Sequence, residues 1–314
     1  MHAVTIVDGA LEWREHPDPV PGAGEVLVRV AAAGLNSADR LQVMGFYPAP
    51  PGWPADIPGM DVAGTVDALG SGCSRFAVGD RVMAVVGGGG QAELVVVPER
   101  HLLPVPDGLS WEAAGGFPEV FTTAYDALFT QCSLAMGDRV CVHGAAGGVG
   151  MAAVQLASAA GATVVATVRN EALRPAVEAL GPRITAVAPD GFEAHGPFDV
   201  VLELVGGHNL APNLAALATG GRISVIGVGA GGRTEIDLLQ LMQKRAVLRG
   251  STLRARATEE KGVVARAVEQ HVLPLLADGT LTVPVEATFP LAEAAAAYER
   301  FAAGGKLGKI VLTS

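Results

Sequence analysis

Residues 142–150 read VHGAAGGVG; their first residue closes the run RVCV, and MAAVQLASAAG follows directly. Four of these nine residues are glycine and two are alanine. So little side chain at one spot means either a tight turn in a packed core or main chain left bare for a phosphate. Both readings restrict the fold in the same way. An apolar strand, a glycine turn, a small-residue helix closed by Gly161 and a second strand, ATVVATV, make the start of a parallel sheet with right-handed crossovers. The stretch from Val140 to Val168 has no Asp, Glu, Lys or Arg and is long enough to cross a bilayer. Five glycines interrupt it, and Gln155, Thr163 and Thr167 lie within it, so it reads as strand, turn, helix and strand buried in protein. No membrane partner is expected.

A dinucleotide-binding turn carries G-x-G-x-x-G between strand and helix. Here Ala145, Gly147 and Gly150 occupy the three positions, with alanine replacing the first glycine. Gly147 presents no Cβ to a pyrophosphate, and Gly150 lets the helix lie close to the strand. The helix, expected to begin near Val149, aims its free N–H groups and positive dipole end at the same place. A ligand-free βα turn is the plain alternative. The next strand ends VVATVRN, so Arg169 stands where an acidic residue would hold a ribose 2′-hydroxyl. A guanidinium there suits a 2′-phosphate, with Arg174 one turn further along. The expected cofactor is NADPH rather than NADH; the alternative for Arg169 is an ordinary solvated loop residue.

The texture changes along the 314 residues. The first 115 or so are short β-branched runs, EVLVRVAAAGL, DVAGTVDAL and GDRVMAVV, punctuated by Pro- and Gly-rich turns, as in a compact barrel-like domain. Near Ser110 an Ala-rich helical pattern begins, and strands then alternate with helices. FDVVLELVG, GGRISVIGVG, AVLRGST and LTVPVEATFP read as further strands, and GKIVLTS as the last. EALRPAVEALG, 257–277 and 291–303 read as helices. The expected class is α/β, with a β-rich domain over 1–118 completed by 251–314 and a nucleotide-binding domain over 119–250. Half the residues are hydrophobic and only 17% are charged, which suits strands covered on both faces. The net charge of −10, with basic residues scattered, excludes the basic face of a nucleic-acid binder. Cys73, Cys132 and Cys141 form no C-x-x-C pair and no even framework, and the first residues lack a signal-peptide pattern; a cytoplasmic location is expected.

The β-rich first half, the GAAGGVG turn and the returning tail resemble the medium-chain dehydrogenase/reductase superfamily over essentially the full length. The chain is most similar to its quinone oxidoreductase (zeta-crystallin-like) group. AAGLNSADRLQVMGFYPAPPG, GGGGQAELVVVPE, FPEVFTTAYDAL and LRGSTLRAR look like the tumour-suppressor-inducible branch of it. The resemblance implies a GroES-like catalytic domain, a Rossmann domain, a cofactor in the cleft between them and a homodimer built on Rossmann sheet edges at RISVIGV and its neighbour. Zinc-dependent members carry Cys where this chain has Asn36 and His where it has Met60. An amide and a thioether are poor zinc ligands, and the seven histidines are dispersed, so no metal is expected.

Without a Lewis acid, the implied chemistry is hydride delivery from nicotinamide to an acceptor that is already electrophilic, a quinone or a conjugated enone. By resemblance Asn36 and Tyr47 face the nicotinamide and the acceptor. Helix capping for Asn36 and loop packing for Tyr47 are their plain alternatives; Asp39 and Arg40 read as structural or solvated. The family also implies cofactor contacts at Thr123, Gly148, Val149, Val205, Gly206, Gly227, Val228 and Leu253, and more weakly at Lys309. Each of these could instead be turn or core packing. ITAVAPDGFEAHGPF, between Arg183 and Asp199, is shorter than usual and lacks the Tyr of many relatives, which points to a reduced wall beside the adenosine. Three functions fit: NADPH-dependent quinone reduction, NADPH-dependent 2-alkenal or enone reduction, and a non-catalytic, crystallin-like NADPH-binding protein.

Overall fold

The computed structural model describes all 314 residues, which divide into two compact units. The first unit comprises Met1–Thr122, Leu253–Gly304 and Gly308–Ser314, and the second comprises Thr123–Thr252 with Gly305–Leu307.

In chain order the first unit opens with β1 (His2–Val7), β2 (Ala10–Glu15), β3 (Glu25–Gly34), α1 (Ser37–Val43), β4 (Asp61–Leu69) and β5 (Arg81–Val85). It continues with β6 (Leu94–Pro98), β7 (Leu103–Pro104) and α2 (Trp111–Gly116), and α3 (Pro118–Tyr125) runs on into the second unit. The second unit then contains β8 (Arg139–Val142), α4 (Gly148–Ala159), β9 (Thr163–Thr167), α5 (Arg174–Glu178) and β10 (Ile184–Val187). After them come β11 (Phe198–Glu203), α6 (Leu210–Ala216), β12 (Leu217–Val225), α7 (Leu238–Lys244) and β13 (Val247–Gly250). The chain returns to the first unit with α8 (Thr258–His271), α9 (Leu273–Ala277), β14 (Val285–Pro290), α10 (Ala294–Ala303) and β15 (Lys309–Thr313).

The first unit is built on a seven-stranded sheet in the order β14-β15-β3-β4-β5-β7, with β6 paired to β3, and a separate β1–β2 hairpin. Its alternating Val and Ala residues, among them Val26, Val28, Val30, Val62, Val66 and Val82, close on one core. The hairpin, α10 and β15 share a second core around Leu35, Tyr298 and Ile310.

The second unit is a six-stranded, wholly parallel sheet in the order β10-β9-β8-β11-β12-β13. Numbered from its own first strand, that is 3-2-1-4-5-6, the doubly wound dinucleotide-binding order, with its switch point between β8 and β11. Strands β8, β9 and β11 are buried almost throughout, as apolar runs covered on both faces must be. One face packs Cys141, Val165, Phe198, Val201 and Ile223 against Leu214 and Phe192.

Three helices differ from the periodicity reading, two of them because of proline. EALRPAVEALG is a 3₁₀ turn at Glu171–Leu173 followed by a short α5, with Pro175 in its first turn. The stretch 257–277 breaks at Val272 into α8 and α9, because Pro274 cannot donate inside a continuous helix and is tolerated in a first turn. Residues 291–293 are a 3₁₀ turn ahead of α10. The RISVIGV strand is also corrected. It lies inside the sheet, paired on both sides, and its neighbour β13 is the edge.

Candidate functional site

The parallel sheet gathers most of the residues expected at a nucleotide site along the carboxyl ends of its strands. Val142 pairs with Ala166 and Leu202, and Glu203 pairs with Val225, so the carboxyl ends of β8, β9, β11 and β12 lie side by side. The glycine turn follows β8, Arg169 follows β9, Val205–Gly206 follow β11, and Gly227–Val228 follow β12. The turn is tied down from two sides: Ala145 donates its N–H to the Thr167 carbonyl at 3.1 Å, and Gly147 donates to the Gly144 carbonyl at 2.9 Å. Gly147 is the N-cap of α4 and has no side chain to satisfy the first-turn amides, which leaves Gly148 and Val149 to offer theirs to a ligand. A Cβ on Gly150 would lie 2.4 Å from the Gly144 oxygen, so only glycine lets α4 pack this close to the turn. The loops after β11 and β12 are zipped together: Ala230 donates to the Val205 carbonyl at 2.8 Å, and Gly227 to the Glu203 carbonyl at 3.2 Å. The bare cradle, the free amides and the switch point fit a dinucleotide diphosphate.

Arg169 is exposed and makes no hydrogen bond or ion pair within the chain. Arg174 differs, because its Nε donates to the Val168 carbonyl at 3.3 Å and its Nη1 lies 3.6 Å from Glu171. Of the two cations, Arg169 is the one at liberty. Thr123 is buried in α3 at the start of the second unit. Leu253, Asn36, Tyr47 and Lys309 all belong to the first unit.

Within the first unit, Asn36 occupies the N-cap position of α1, and the Asp39 carboxylate accepts its backbone N–H at 2.8 Å. The Asn36 side chain is engaged at both ends. Its Nδ2 donates to Asp61 Oδ2 at 2.8 Å, and its Oδ1 accepts from Lys309 Nζ at 2.6 Å. Lys309 also pairs with Asp61 at 3.0 Å, and Asp61 Oδ1 accepts the Glu119 N–H at 2.5 Å. The cluster is buried, so the ion pair must match in charge and in hydrogen bonds. A metal does not fit here. An ammonium already sits against the Asn36 amide oxygen, the Asn36 amide nitrogen is taken up by Asp61, and Met60 offers only a thioether.

Sequence reading alone does not single out Asp61 or Arg254. Arg254 is 1% exposed yet charged. Its Nε donates to the Gly87 carbonyl at 2.7 Å, its Nη1 to the Tyr47 carbonyl at 2.9 Å and its Nη2 to Gln42 Oε1. The guanidinium carbon lies 5.1 Å from the centroid of the Tyr47 ring. One buried cation therefore ties the tetraglycine segment to the Tyr47 loop. Only its presence in GSTLRAR hinted at a role, since nothing local marks an arginine as buried. Burial raises the partly buried Tyr47 phenol above its ordinary value, against the opposing effect of Arg254, so the phenol keeps its proton at neutral pH.

Asp39 is wholly buried, and burial pushes its carboxyl up to about 7; the N–H of Asn36 and the charge of Lys309 oppose the rise, and Asp61 adds to it. Its Oδ1 has no partner in the chain. An acid whose native value lies above its unfolded one holds a proton in the folded state that the unfolded state has lost. Stability is expected to fall as pH rises from about 4 to about 7, by up to ~1.4 kcal/mol per pH unit, and to level off above. Urea unfolding of the native protein and of Asp39→Asn across that window checks this. The variant should lose the slope, and parallel curves would reject the assignment.

Residues 22–107 match the alcohol dehydrogenase GroES-like domain family, and residues 183–312 match the zinc-binding dehydrogenase family. A quinone oxidoreductase of Mus musculus is 31% identical over 310 residues, spanning 94% of this chain and 90% of its own length. The quinone oxidoreductase of Thermus thermophilus, solved also as its complex with NADPH, is 36% identical with a TM-score of 0.84, and all of each chain is covered. An alcohol dehydrogenase superfamily protein from Novosphingobium aromaticivorans superposes with a TM-score of 0.87 at 30% identity, covering 100% of this chain and 99% of its own. With its GroES-like and Rossmann domains, the chain is an NAD(P)-binding oxidoreductase that belongs to the medium-chain dehydrogenase/reductase superfamily, where quinone oxidoreductases are among its relatives.

Proposed function

We propose that the protein reduces quinones and similarly electron-poor acceptors with NADPH, without a metal ion. The observation that carries this reading is the Asn36–Asp61–Lys309 cluster. By resemblance Asn36 stands where zinc-dependent members carry a ligand, and an ammonium occupies its amide oxygen, while the glycine turn keeps the bare Gly147 and the free first-turn amides that suit a diphosphate. Full-length similarity to quinone oxidoreductases supports the same acceptor class. When bound, NADPH supplies the hydride.

The chain's own residues bind and orient. The first-turn amides of α4 and the bare Gly147 take the diphosphate, helped by the positive end of the helix. Thr123, Val205, Gly206, Gly227, Val228 and Leu253 complete the cofactor contacts. Asn36, its amide held between a carboxylate and an ammonium, offers a rigid polar surface rather than a mobile one. Tyr47, protonated and braced by Arg254, donates a hydrogen bond to the acceptor oxygen as charge builds on it.

Arg169 takes the 2′-phosphate. The Michaelis constant for NADPH should lie below that for NADH. Arg169→Ala should raise the NADPH value about tenfold, the scale of one charge-assisted contact, and leave NADH unchanged. Equal preference in both proteins removes the role. For Tyr47→Phe, kcat/KM on a quinone should fall about tenfold, the worth of one buried hydrogen bond. Unchanged turnover removes the phenol from the chemistry. The same assay run on a panel of quinones and 2-alkenals, following NADPH loss, ranks the acceptors; tight binding with no turnover on any of them would identify a non-catalytic NADPH protein.

The protein is also read as a homodimer. The outer side of β13 is unpaired, all four of its residues are exposed, and Leu238 (63%), Leu239 (61%) and Met242 (70%) of α7 expose apolar side chains in the same part of the second unit. A second copy continuing the sheet would cover that edge. Light scattering should give twice the chain mass, and Leu248→Asp, on the edge strand, should give the monomer.

A further inference from the structure

Beneath the cofactor edge of the second unit lies a set of buried polar side chains that the proposed function does not use. Glu203, at the end of β11, is 3% exposed. Its Oε1 accepts the N–H groups of Val205 at 2.7 Å and Gly206 at 2.9 Å, together with Asn209 Nδ2 at 3.3 Å. Its Oε2 accepts Asn213 Nδ2 at 2.9 Å. Asn213 is completely buried, and its Oδ1 lies 2.7 Å from His143 Nε2. The other ring nitrogen, Nδ1, is 3.1 Å from Thr167 Oγ1, and that hydroxyl oxygen accepts the Gly144 N–H at 3.3 Å.

The donors and acceptors allow one direction only. A carboxylate can only accept, so Asn213 must turn its NH₂ toward Glu203 and its carbonyl toward His143. His143 Nε2 then carries the proton, and Nδ1 is left as an acceptor for the Thr167 hydroxyl. That leaves the Thr167 lone pairs for the Gly144 amide. Burial supports the neutral ring by lowering the His143 pKa, although Glu203 stands 3.9 Å away and opposes the shift. The Phe192 ring packs perpendicular to the imidazole, with ring centroids 4.6 Å apart.

The two ends of this chain are the two segments flanking the switch point. Gly144 opens the glycine turn after β8, and Val205–Gly206 form the loop after β11. The segments touch, since a Cβ on Gly144 would lie 3.3 Å from Val205 Cγ2. We propose that Glu203, Asn213, His143 and Thr167 are positioning residues, a single directional hydrogen-bond chain that holds the glycine turn and the 205–206 loop at the spacing a bound dinucleotide requires. This rests on the reading of that edge as the NADPH site. None of the four need touch the cofactor. They act through the backbone amides at each end, and a small misplacement there costs affinity.

Thr167→Val keeps the shape of the side chain and removes the hydroxyl that joins His143 to the turn, and Thr167→Ser restores it. The readouts are the dissociation constant for NADPH, followed by nicotinamide fluorescence, and the Michaelis constant for a quinone acceptor. Thr167→Val should bind NADPH about tenfold more weakly with an unchanged quinone constant, and Thr167→Ser should bind within about twofold of the native protein. Asn213→Leu cuts the chain at another link and should weaken NADPH in the same way. Wild-type NADPH affinity in both Thr167→Val and Asn213→Leu, whatever their melting temperatures, overturns the positioning role alone. A native protein that binds no NADPH overturns the cofactor reading and the positioning role together.

Discussion

At Gly150 main chain meets main chain, with helix α4 resting on the turn that precedes it so closely that a single methyl group would collide with the Gly144 oxygen and the Ala145 Cα. That approach sets where the helix begins, and the start of the helix sets where its unpaired amides point. A parallel sheet covered on both faces then does the rest. Its crossovers return every strand in the same direction, so the loops that leave β8, β9, β11 and β12 emerge at one edge. That four sequence-distant loops share one edge is thus a consequence of handedness and burial.

Each unit also holds a buried ionic side chain within a hydrogen-bonded network. In the first, Lys309 and Asp61 neutralise one another while Asn36 and the Glu119 amide take up remaining donors and acceptors. In the second, the Glu203 carboxylate is met by two backbone amides and two side-chain amides. Removing one member from such a network leaves a desolvated charge or dipole, which costs far more than the intact pair contributes. That asymmetry favours a single arrangement over near alternatives, which is what a site needs when it acts by geometry rather than by a metal's electrophilicity. Arg254 follows the same logic with carbonyl and amide oxygens in place of a carboxylate.

Much of the second unit was legible because its signals are local. The strand RVCV, the glycine turn and the Ala-rich helix follow one another within about 20 residues, and each is dictated by side-chain size or hydrophobic period. Two helix readings went astray where a proline sits inside a helical pattern: Pro175 and Pro274 each begin a short helix instead of continuing one. The sheet edge was harder. RISVIGV and AVLRGST look alike as strings, and only the strand order puts the first inside and the second outside. At the candidate site, Asn36 and Tyr47 could be singled out from motifs, but the partners that define their environment could not, because Asp61, Lys309 and Arg254 look like ordinary charged residues until the fold removes water from them.

By itself, then, the sequence determined the α/β class, the glycine turn and the arginine that follows the second strand, since each depends on residues within a few turns of one another. The tertiary structure alone decided which charges are buried and what they face. Lys309 reaches Asn36 across 273 residues, and His143 reaches Asn213 across 70. Electrostatic pairing acts through space and gains its strength from the absence of water, and neither property is written in the order of residues along a chain.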